Sequence, residues 1–349
     1  MVPFLLSSVS PFGRCSEKRR ARANPHNRHR LHGSTAQAGF NCHHYWQPNH
    51  RGRPASKYFN SCPGSAGPFV DGPKEGVANR LTVRTPDQAR QAVHQLKAQG
   101  VDFMKVHNAL SPEAFFALMD EARKEHIPVA VHLPKNVSSA EASDAGAASL
   151  EHIETINESA LWRKGATAKT VEQAVDENLG PSGQALFQRL AKNGTWYVPT
   201  LVAYERGFVL WSNDPAALKP RLNVHEKQIE LVRMMHDAGV PIMAGSDFSD
   251  WGVVPGIDLH NELALLVEAG FTPLEAIQSA TLNPAKFLGK TVTFGTIQVG
   301  RTADLVLLDA NPLEDISHTR KINAVVLGGK YYPLASITAQ ALLNASQRQ

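Results

Sequence analysis

Three short apolar segments follow one another in the middle of the chain: Val101–Val106, Pro128–Leu133 and Ala148–Ile153. Each has the length of a buried strand and is bounded by turn-forming residues. Helical periodicity fills the first gap, where Ser111 is the predicted N-cap and Pro112 takes the first helical position. A shorter helix fills the second gap. This order of strand and helix predicts right-handed crossovers within a parallel sheet.

The same alternation continues on both sides of these segments. A helix is predicted from Thr85 to Gly100, and Pro215 and Pro220 are assigned to a loop. The other predicted helices are 182–192, 223–238, 258–268 and 273–280, and the other predicted strands of this part are 195–202 and 240–244. After Leu288 the pattern changes to short strands at 295–297, 304–308 and 322–327, with a last helix at 336–346.

Charge and cysteine usage change near residue 60. Residues 1–60 contain ten Lys or Arg and one acidic residue, whereas the rest contains 26 basic and 31 acidic residues. All three cysteines lie in the first 62 residues, and an odd count without repeated spacing argues against a disulfide framework. We therefore expect an irregular or disordered basic segment (1–60), a (β/α) barrel (61–288), and a small β subdomain with a C-terminal helix (289–349).

Composition also bears on the classes of partner. No apolar run reaches the roughly 18–20 residues of a membrane-spanning helix, so no membrane partner is expected. The basic N-terminal segment lacks any recognisable nucleic-acid-binding motif, which disfavours nucleic acid as a partner. The first residues make a poor secretory signal, and the compartment stays open, with the cytoplasm slightly favoured. A small-molecule substrate is the expected partner, and a homo-oligomer is an open alternative.

Four side chains suggest a metal site. Lys105, His132 and His152 lie near the C-terminal ends of successive predicted strands, and Asp247 follows a fourth. Imidazole and carboxylate are ligands for zinc and related metals, and a buried lysine can form a carbamate, which is an oxygen ligand. Each residue alone has an ordinary structural explanation. Their shared position at one end of a parallel sheet predicts a common site.

The sequence around these residues resembles the metal-dependent amidohydrolase superfamily, specifically its imidazolonepropionase-like and prolidase-like (Xaa-dipeptidase) branch. The matching segments are VDFMKVH, PVAVHLP, AASLEHI, VPTL, AGSDF, ATLNPAKFLG and GTIQVGRTADLVLLDANPLEDI. The last two are the most specific, and the resemblance covers roughly residues 67–329. It implies an α/β fold with a TIM-like (β/α) barrel and a small C-terminal β subdomain.

The resemblance also implies chemical roles. Lys105 would be a carbamylated metal ligand, His132 and His152 would be imidazole ligands, and Asp247 would be both a ligand and the general base. The cofactor would be a divalent metal, with zinc favoured, as one or two ions. A metal-activated water would attack the substrate carbonyl while Asp247 takes the proton. Tyr204 and His225 are candidates for substrate binding.

One part of the family pattern is missing. The family places a His-x-His pair on the first barrel strand, and no His-x-His occurs in this sequence. We therefore expect a barrel that is incomplete at its N-terminal strands, with one ion favoured over two. The expected function is a metal-dependent hydrolase that acts on carbon–nitrogen bonds of a cyclic amide or dipeptide-like substrate. The alternative is a catalytically inactive, truncated amidohydrolase remnant that acts only as a binding or interaction module.

Overall fold

The structure is a computed structural model that describes residues 4–7, 66–73, 80–162, 165–210, 215–247, 253–254 and 256–336. Its strands are β1 (Phe4–Ser7), β2 (Phe69–Asp71), β3 (Arg80–Thr82), β4 (Met104–Val106), β5 (Val129–Val131), β6 (Ser149–Glu151), β7 (Trp196–Val198), β8 (Leu305–Leu308), β9 (Ile322–Leu327) and β10 (Lys330–Pro333). Its α-helices are α1 (Pro86–Ala98), α2 (Pro112–Lys124), α3 (Ser139–Asp144), α4 (Ile153–Trp162), α5 (Val171–Leu179), α6 (Pro181–Asn193), α7 (Leu201–Tyr204), α8 (Pro215–Asp237), α9 (Ile257–Glu268), α10 (Pro273–Ser279) and α11 (Leu282–Phe287). A π-helix (Glu205–Leu210) and a 3-10 helix (Ile316–Arg320) complete the set.

A parallel sheet of six strands organises the larger part of the chain, in the order β3-β2-β4-β5-β6-β7. Met104 pairs with Val129 across β4 and β5, and Leu150 pairs with Tyr197 across β6 and β7. A parallel bridge from Tyr197 to Ile242 continues this order past β7. Helices alternate with these strands, so the predicted α/β fold with a parallel sheet is confirmed.

Capping residues define the helix starts as the sequence predicts. Thr85 accepts a hydrogen bond from the Gln88 N–H at the start of α1, and Ser111 accepts one from the Ala114 N–H at the start of α2. A reciprocal capping box, predicted between Thr272 and Glu275, opens α10. The buried face of α1 consists of the predicted residues Ala89, Ala92, Val93 and Leu96.

Three local predictions are wrong. The strand predicted at 195–202 ends at Val198, because Thr200 adopts a left-handed backbone and Leu201 begins α7. Pro215 begins α8 and Pro220 lies inside it, whereas both were predicted in a loop. Pro220 falls near the N-terminus of that helix, so its missing N–H removes one helical hydrogen bond without ending the helix. Residues 295–297, predicted as a strand, form a bend and irregular backbone.

A small antiparallel sheet follows the parallel one in the chain and has the order β1-β8-β9-β10. Phe4 pairs with Leu308, so the start of the chain joins the strands near its end. The C-terminal part of this sheet agrees with the predicted β subdomain. Most of the predicted segment 1–60 and most of the helix at 336–346 lie outside the described residues, and the domain boundaries stay predictions. Among the helices described, none is long and apolar enough to cross a membrane.

Alternation along the strands sorts side chains between the two faces of the parallel sheet. Met104 and Val106 join the large core formed with α1 and α2, whereas Phe103 joins a separate cluster with Ala130 and Phe287. Lys105 therefore shares a face with Phe103 and not with the helix-packed core. The strand ends are held close together at Gly72, where a Cβ would lie 1.8 Å from the Ala109 carbonyl oxygen.

Candidate metal and active site

Lys105 lies in the centre of β4 and is only 1% exposed. Its Nζ is 3.7 Å from Oε2 of Glu151 on β6, and this carboxylate is also buried. An isolated buried ammonium is unfavourable, so the nearby negative charge compensates part of the penalty. The structure thus places Lys105 on the inner face of the sheet, as the prediction of a ligand requires.

His132 follows β5 at the end of the strand. Its ring stacks on His107 with centroids 4.5 Å apart, and the His152 ring lies 5.2 Å away. Its Nε2 is 3.4 Å from Oε2 of Glu158, and neither atom makes a hydrogen bond within the described residues. Buried ring nitrogens are normally hydrogen-bonded, so this nitrogen is available to a ligand.

His152 and Asp247 are also brought together. Nδ1 of His152 is 3.5 Å from Oδ2 of Asp247 and 3.3 Å from the Thr200 hydroxyl. The main chain of His152 is fixed by Tyr197, whose hydroxyl donates a 2.9 Å hydrogen bond to the His152 carbonyl oxygen. The Asp247 side chain is 29% exposed, so it faces the open end of the sheet.

Three of these residues share an unusual backbone conformation. His152 (φ 69°), Thr200 (φ 48°) and Asp247 (φ 42°) all have positive φ values. Each non-glycine residue in this region costs of order 1–3 kcal/mol, and such strain collects at functional sites. The three follow β6, β7 and the segment bridged at Ile242, and they contact one another through His152.

Several carboxyl groups lie close together at the C-terminal ends of the strands, which form the rim of the sheet. Burial, together with the charges of Asp247 and Glu158, raises the pKa of Glu154 to about 8. Glu154 is in the first turn of α4, directly after the strand end that carries His152. A cation bound here would favour the ionised form of Glu154 and would relieve the repulsion between neighbouring carboxylates.

The two predicted substrate-binding residues lie against each other. The Tyr204 and His225 rings stack with centroids 6.0 Å apart and an interplanar angle of 11°. Burial raises the pKa of Tyr204 to about 12 and lowers the pKa of His225 to about 4, so both are neutral near pH 7. Glu154 also acts on the Tyr204 pKa, which places this pair next to the acidic rim.

Several residues of the site were missed at the sequence level. His107 is two residues after Lys105 and therefore on the same face, so strand periodicity alone could have indicated it. Gln228, one turn after His225, is fully buried, and it lies close to His225 without meeting hydrogen-bond geometry. Glu158 and Thr200 had no local signal, because their roles depend on a helix and a turn that the sequence pattern did not predict.

The chemistry of the donors, two imidazoles, a carboxylate and a buried lysine, suits one divalent ion. The supporting observation is the buried Nε2 of His132, which has no hydrogen bond in the described chain and lies beside a second imidazole. Counting only His, Cys, Asp and Glu, the described residues bring three ligand atoms within 4.8 Å at a different place, His94, Glu121 and Glu125. That group is on the α1–α2 surface, where Lys97 already pairs with Glu125.

Sequence comparison agrees with this geometry. The amidohydrolase family matches residues 62–331, which is more than half of the chain. The chain belongs to the amidohydrolase family. The resemblance noted from its motifs is therefore confirmed at the level of the family, and the assignment of individual metal ligands in this amidohydrolase stays a prediction.

Known relatives of this amidohydrolase include three enzymes. An ochratoxinase from Aspergillus niger is 28% identical over 231 residues, 64% of this chain and 41% of that protein. An imidazolonepropionase from Geobacillus kaustophilus is 32% identical over 102 residues, 28% of this chain and 24% of that protein. The crystal structure of a Xaa-Pro dipeptidase with bound methionine superposes with a TM-score of 0.57 at 25% identity, covering 78% of this chain and 69% of the other. This chain thus spans about two fifths of the length of the ochratoxinase, and its TIM-like fold is confirmed.

Proposed function

We propose that this chain is a metal-dependent hydrolase that cleaves a carbon–nitrogen bond in a cyclic amide or dipeptide-like substrate. The observation that carries the proposal is the contact of His132, His152 and Asp247 at the strand ends, on the side of the sheet where (β/α) barrels place their chemistry. Family membership and the named relatives, an ochratoxinase, an imidazolonepropionase and a Xaa-Pro dipeptidase, support the reaction class.

One divalent ion, with zinc favoured, would be held by His132, His152 and a carbamate formed on Lys105. When bound, such an ion lowers the pKa of a water molecule and polarises the scissile carbonyl. Lys105 suits the carbamate because a buried amine loses its proton more readily than one in water. The carbamate would be negative and close to Glu151, so the positive charge of the bound ion would offset both groups.

Asp247 is the proposed general base. Its carboxylate touches His152 yet stays partly exposed, so it can reach both a ligand imidazole and an incoming substrate. It would take a proton from the attacking water and donate that proton to the leaving nitrogen. A carboxylate that accepts a proton only transiently is suited to both steps.

Tyr204 and His225 would form one wall of the substrate pocket. Since both side chains are neutral near pH 7, they would recognise substrate by hydrogen bonding and ring contact instead of by charge. The Tyr204 phenol keeps its proton near pH 7 and would donate a hydrogen bond to a substrate carbonyl. A wall of this kind suits an amide or lactam, which offers a hydrogen-bond acceptor and a flat face.

The alternative function, an inactive remnant that binds a partner or a ligand without turnover, is favoured by one observation: the sequence lacks the His-x-His pair of the family. Metal content separates the two. Purified chain would be analysed for zinc and related metals, then assayed after zinc addition against dipeptides, N-acyl amino acids and lactams. Stoichiometric zinc with hydrolysis supports the enzyme. Protein that contains no metal and takes up none supports the remnant.

A further inference from the structure

Glu262 is a fully buried carboxylate outside the proposed site. It belongs to α9, and its Oε2 accepts a 2.9 Å hydrogen bond from the Val202 N–H, in the first turn of α7. Burial raises the pKa of Glu262 to about 8, and the backbone N–H groups of residues 200–202 oppose that rise. The first turn of a helix has N–H groups without partners inside the helix. Glu262 therefore caps α7 from an element that is 60 residues further along the chain.

Thr200 is the residue that would ordinarily cap α7, and it does not. A threonine N-cap normally has an extended backbone and accepts an N–H bond through its hydroxyl. Thr200 instead has φ 48° and ψ 44°, and its side chain makes no capping hydrogen bond to the described α7. Because Glu262 supplies the cap, the Thr200 hydroxyl can be used elsewhere. It lies 3.3 Å from Nδ1 of His152.

Two groups near Nδ1 of His152 can accept a hydrogen bond from it. These are the Thr200 hydroxyl oxygen and the Asp247 carboxylate, at 3.3 and 3.5 Å. An ionised carboxylate only accepts, so this arrangement favours the tautomer with the hydrogen on Nδ1 and the lone pair on Nε2. Metal-binding imidazoles are commonly fixed in this way, through a hydrogen bond from the other ring nitrogen.

We propose that Thr200 and Glu262 are positioning residues for His152. Glu262 holds the left-handed turn at Thr200, and the Thr200 hydroxyl holds the imidazole with Nδ1 directed at the Asp247 carboxylate, which sets the tautomer. The role of these residues in metal binding rests on the proposed function, whereas the tautomer of His152 can be measured without a metal. Two separate measurements can therefore be made.

The first measurement is nitrogen-15 NMR of the imidazoles in metal-free protein. His152 is identified by the signal that disappears in His152→Gln. Wild type and Thr200→Ser should show the Nδ1–H tautomer at this residue, and Thr200→Val should show a mixture of tautomers. An unchanged His152 signal in Thr200→Val would overturn the proposal, whether or not the protein binds zinc.

The second measurement is zinc affinity, determined by competition with a chromophoric chelator. Loss of an outer partner of a metal-binding imidazole typically weakens binding about 10–100-fold, which is the result expected for Thr200→Val, with Thr200→Ser close to wild type. Thr319→Val is the matched control, because Thr319 makes a similar buried contact of 2.9 Å with His260 away from the site. Wild-type affinity in Thr200→Val would overturn the positioning role. A wild type that binds no zinc would instead overturn the proposed function and leave the NMR result to decide on Thr200.

Glu262→Leu tests whether Glu262 holds the turn at Thr200. It should shift the His152 tautomer and weaken zinc binding in the same direction as Thr200→Val. Since both variants break one chain of contacts, the double variant should bind zinc no more weakly than the worse single variant. Circular dichroism restricts the comparison to folded protein. Additive losses in the double variant would show that Glu262 does not act through Thr200.

Discussion

Two stretches of the rim, at β2–β3 and at β5–β6, use buried charged and polar groups in different ways. At the first, Asp71 is fully buried, accepts hydrogen bonds of 2.9 and 2.8 Å from the N–H groups of Gly72 and Ala109, and forms an ion pair with Arg80. At the second, His132 has a buried nitrogen with no hydrogen bond in the described chain and faces a carboxylate at 3.4 Å.

The difference separates a structural role from a ligand-binding one. The Asp71 carboxylate accepts two N–H bonds at Oδ1 and pairs with Arg80, so its charge is compensated inside the protein, and removing it would leave Arg80 as an uncompensated, largely buried charge. A ring nitrogen that is buried without a hydrogen bond is unfavourable until something binds to it. We therefore expect changes at β2–β3 to affect folding and changes at β5–β6 to affect metal binding.

Removal of an imidazole is the strongest test of the metal-binding role assigned to the β5–β6 stretch. His132→Ala and His152→Ala should abolish zinc binding, a loss greater than the roughly 10–100-fold typical of an outer partner. Zinc stoichiometry after dialysis is the measurement. His94→Ala is the matched control, since it removes the histidine of the surface group with Glu121 and Glu125. If zinc disappears in His94→Ala and stays in the other two variants, the metal site has been assigned to the wrong place.

A second change removes the proposed base and keeps its shape. Asp247→Asn should retain zinc and lower turnover by about 10²–10⁴-fold, the usual contribution of general acid–base catalysis. The measurement is kcat on a substrate found for the wild type, together with metal content. Undiminished turnover in Asp247→Asn would contradict its role as base, and loss of zinc would show that it acts mainly as a ligand.

At the β2–β3 stretch of the rim, Asp71→Ala should act on stability. Breaking a buried ion pair by removing one partner costs about 3–5 kcal/mol, and this variant also leaves two N–H groups without their acceptor. Denaturant unfolding measures the loss. The protein that stays folded should still bind zinc at the wild-type ratio, and a large drop in that ratio would remove the distinction between the two stretches.

The smallest effects concern two buried histidines that differ in bonding. Burial lowers the pKa of both His225 and His260 to about 4, but only His260 makes a hydrogen bond in the described chain, to Thr319. At pH 8, His260→Phe should cost about 0.5–1.5 kcal/mol, the net value of its hydrogen bond to Thr319, whose hydroxyl still donates to the Ile316 carbonyl oxygen, whereas His225→Phe should be nearly neutral. Thermal unfolding of both variants is the measurement, and equal losses would contradict this reasoning.

The pH dependence of the same pair has a definite sign. Between the folded pKa near 4 and the ordinary value of 6.5, the unfolded chain binds more protons than the native one. Each histidine therefore makes the wild type less stable as the pH falls from about 6.5 to 4. The stability of each Phe variant should therefore fall less than that of the wild type over this pH range, which unfolding curves at several pH values would show.

Much of the fold follows from local signals in the sequence. Proline and hydroxyl caps set the starts of α1, α2 and α10, and short apolar runs set β4 to β6. The ligand candidates followed from the position of polar residues at strand ends, although their roles came from the family resemblance.

The remainder depends on contacts that no local pattern encodes. The turn at Thr200 ended a predicted strand early, because a left-handed threonine is held there by Glu262 from a distant helix. The sequence pattern also did not predict the π-helix or the contact between Glu151 and Lys105. Such features depend on tertiary packing, which outweighs the propensities of single residues.

The three left-handed residues His152, Thr200 and Asp247 have a consequence for protein engineering. Glycine relieves this backbone strain, so a screen for heat resistance alone would tend to enrich Gly at these positions. Each such gain would delete an imidazole, a hydroxyl or a carboxylate from the rim. A thermostabilised variant of this chain should therefore be selected with these three codons held fixed.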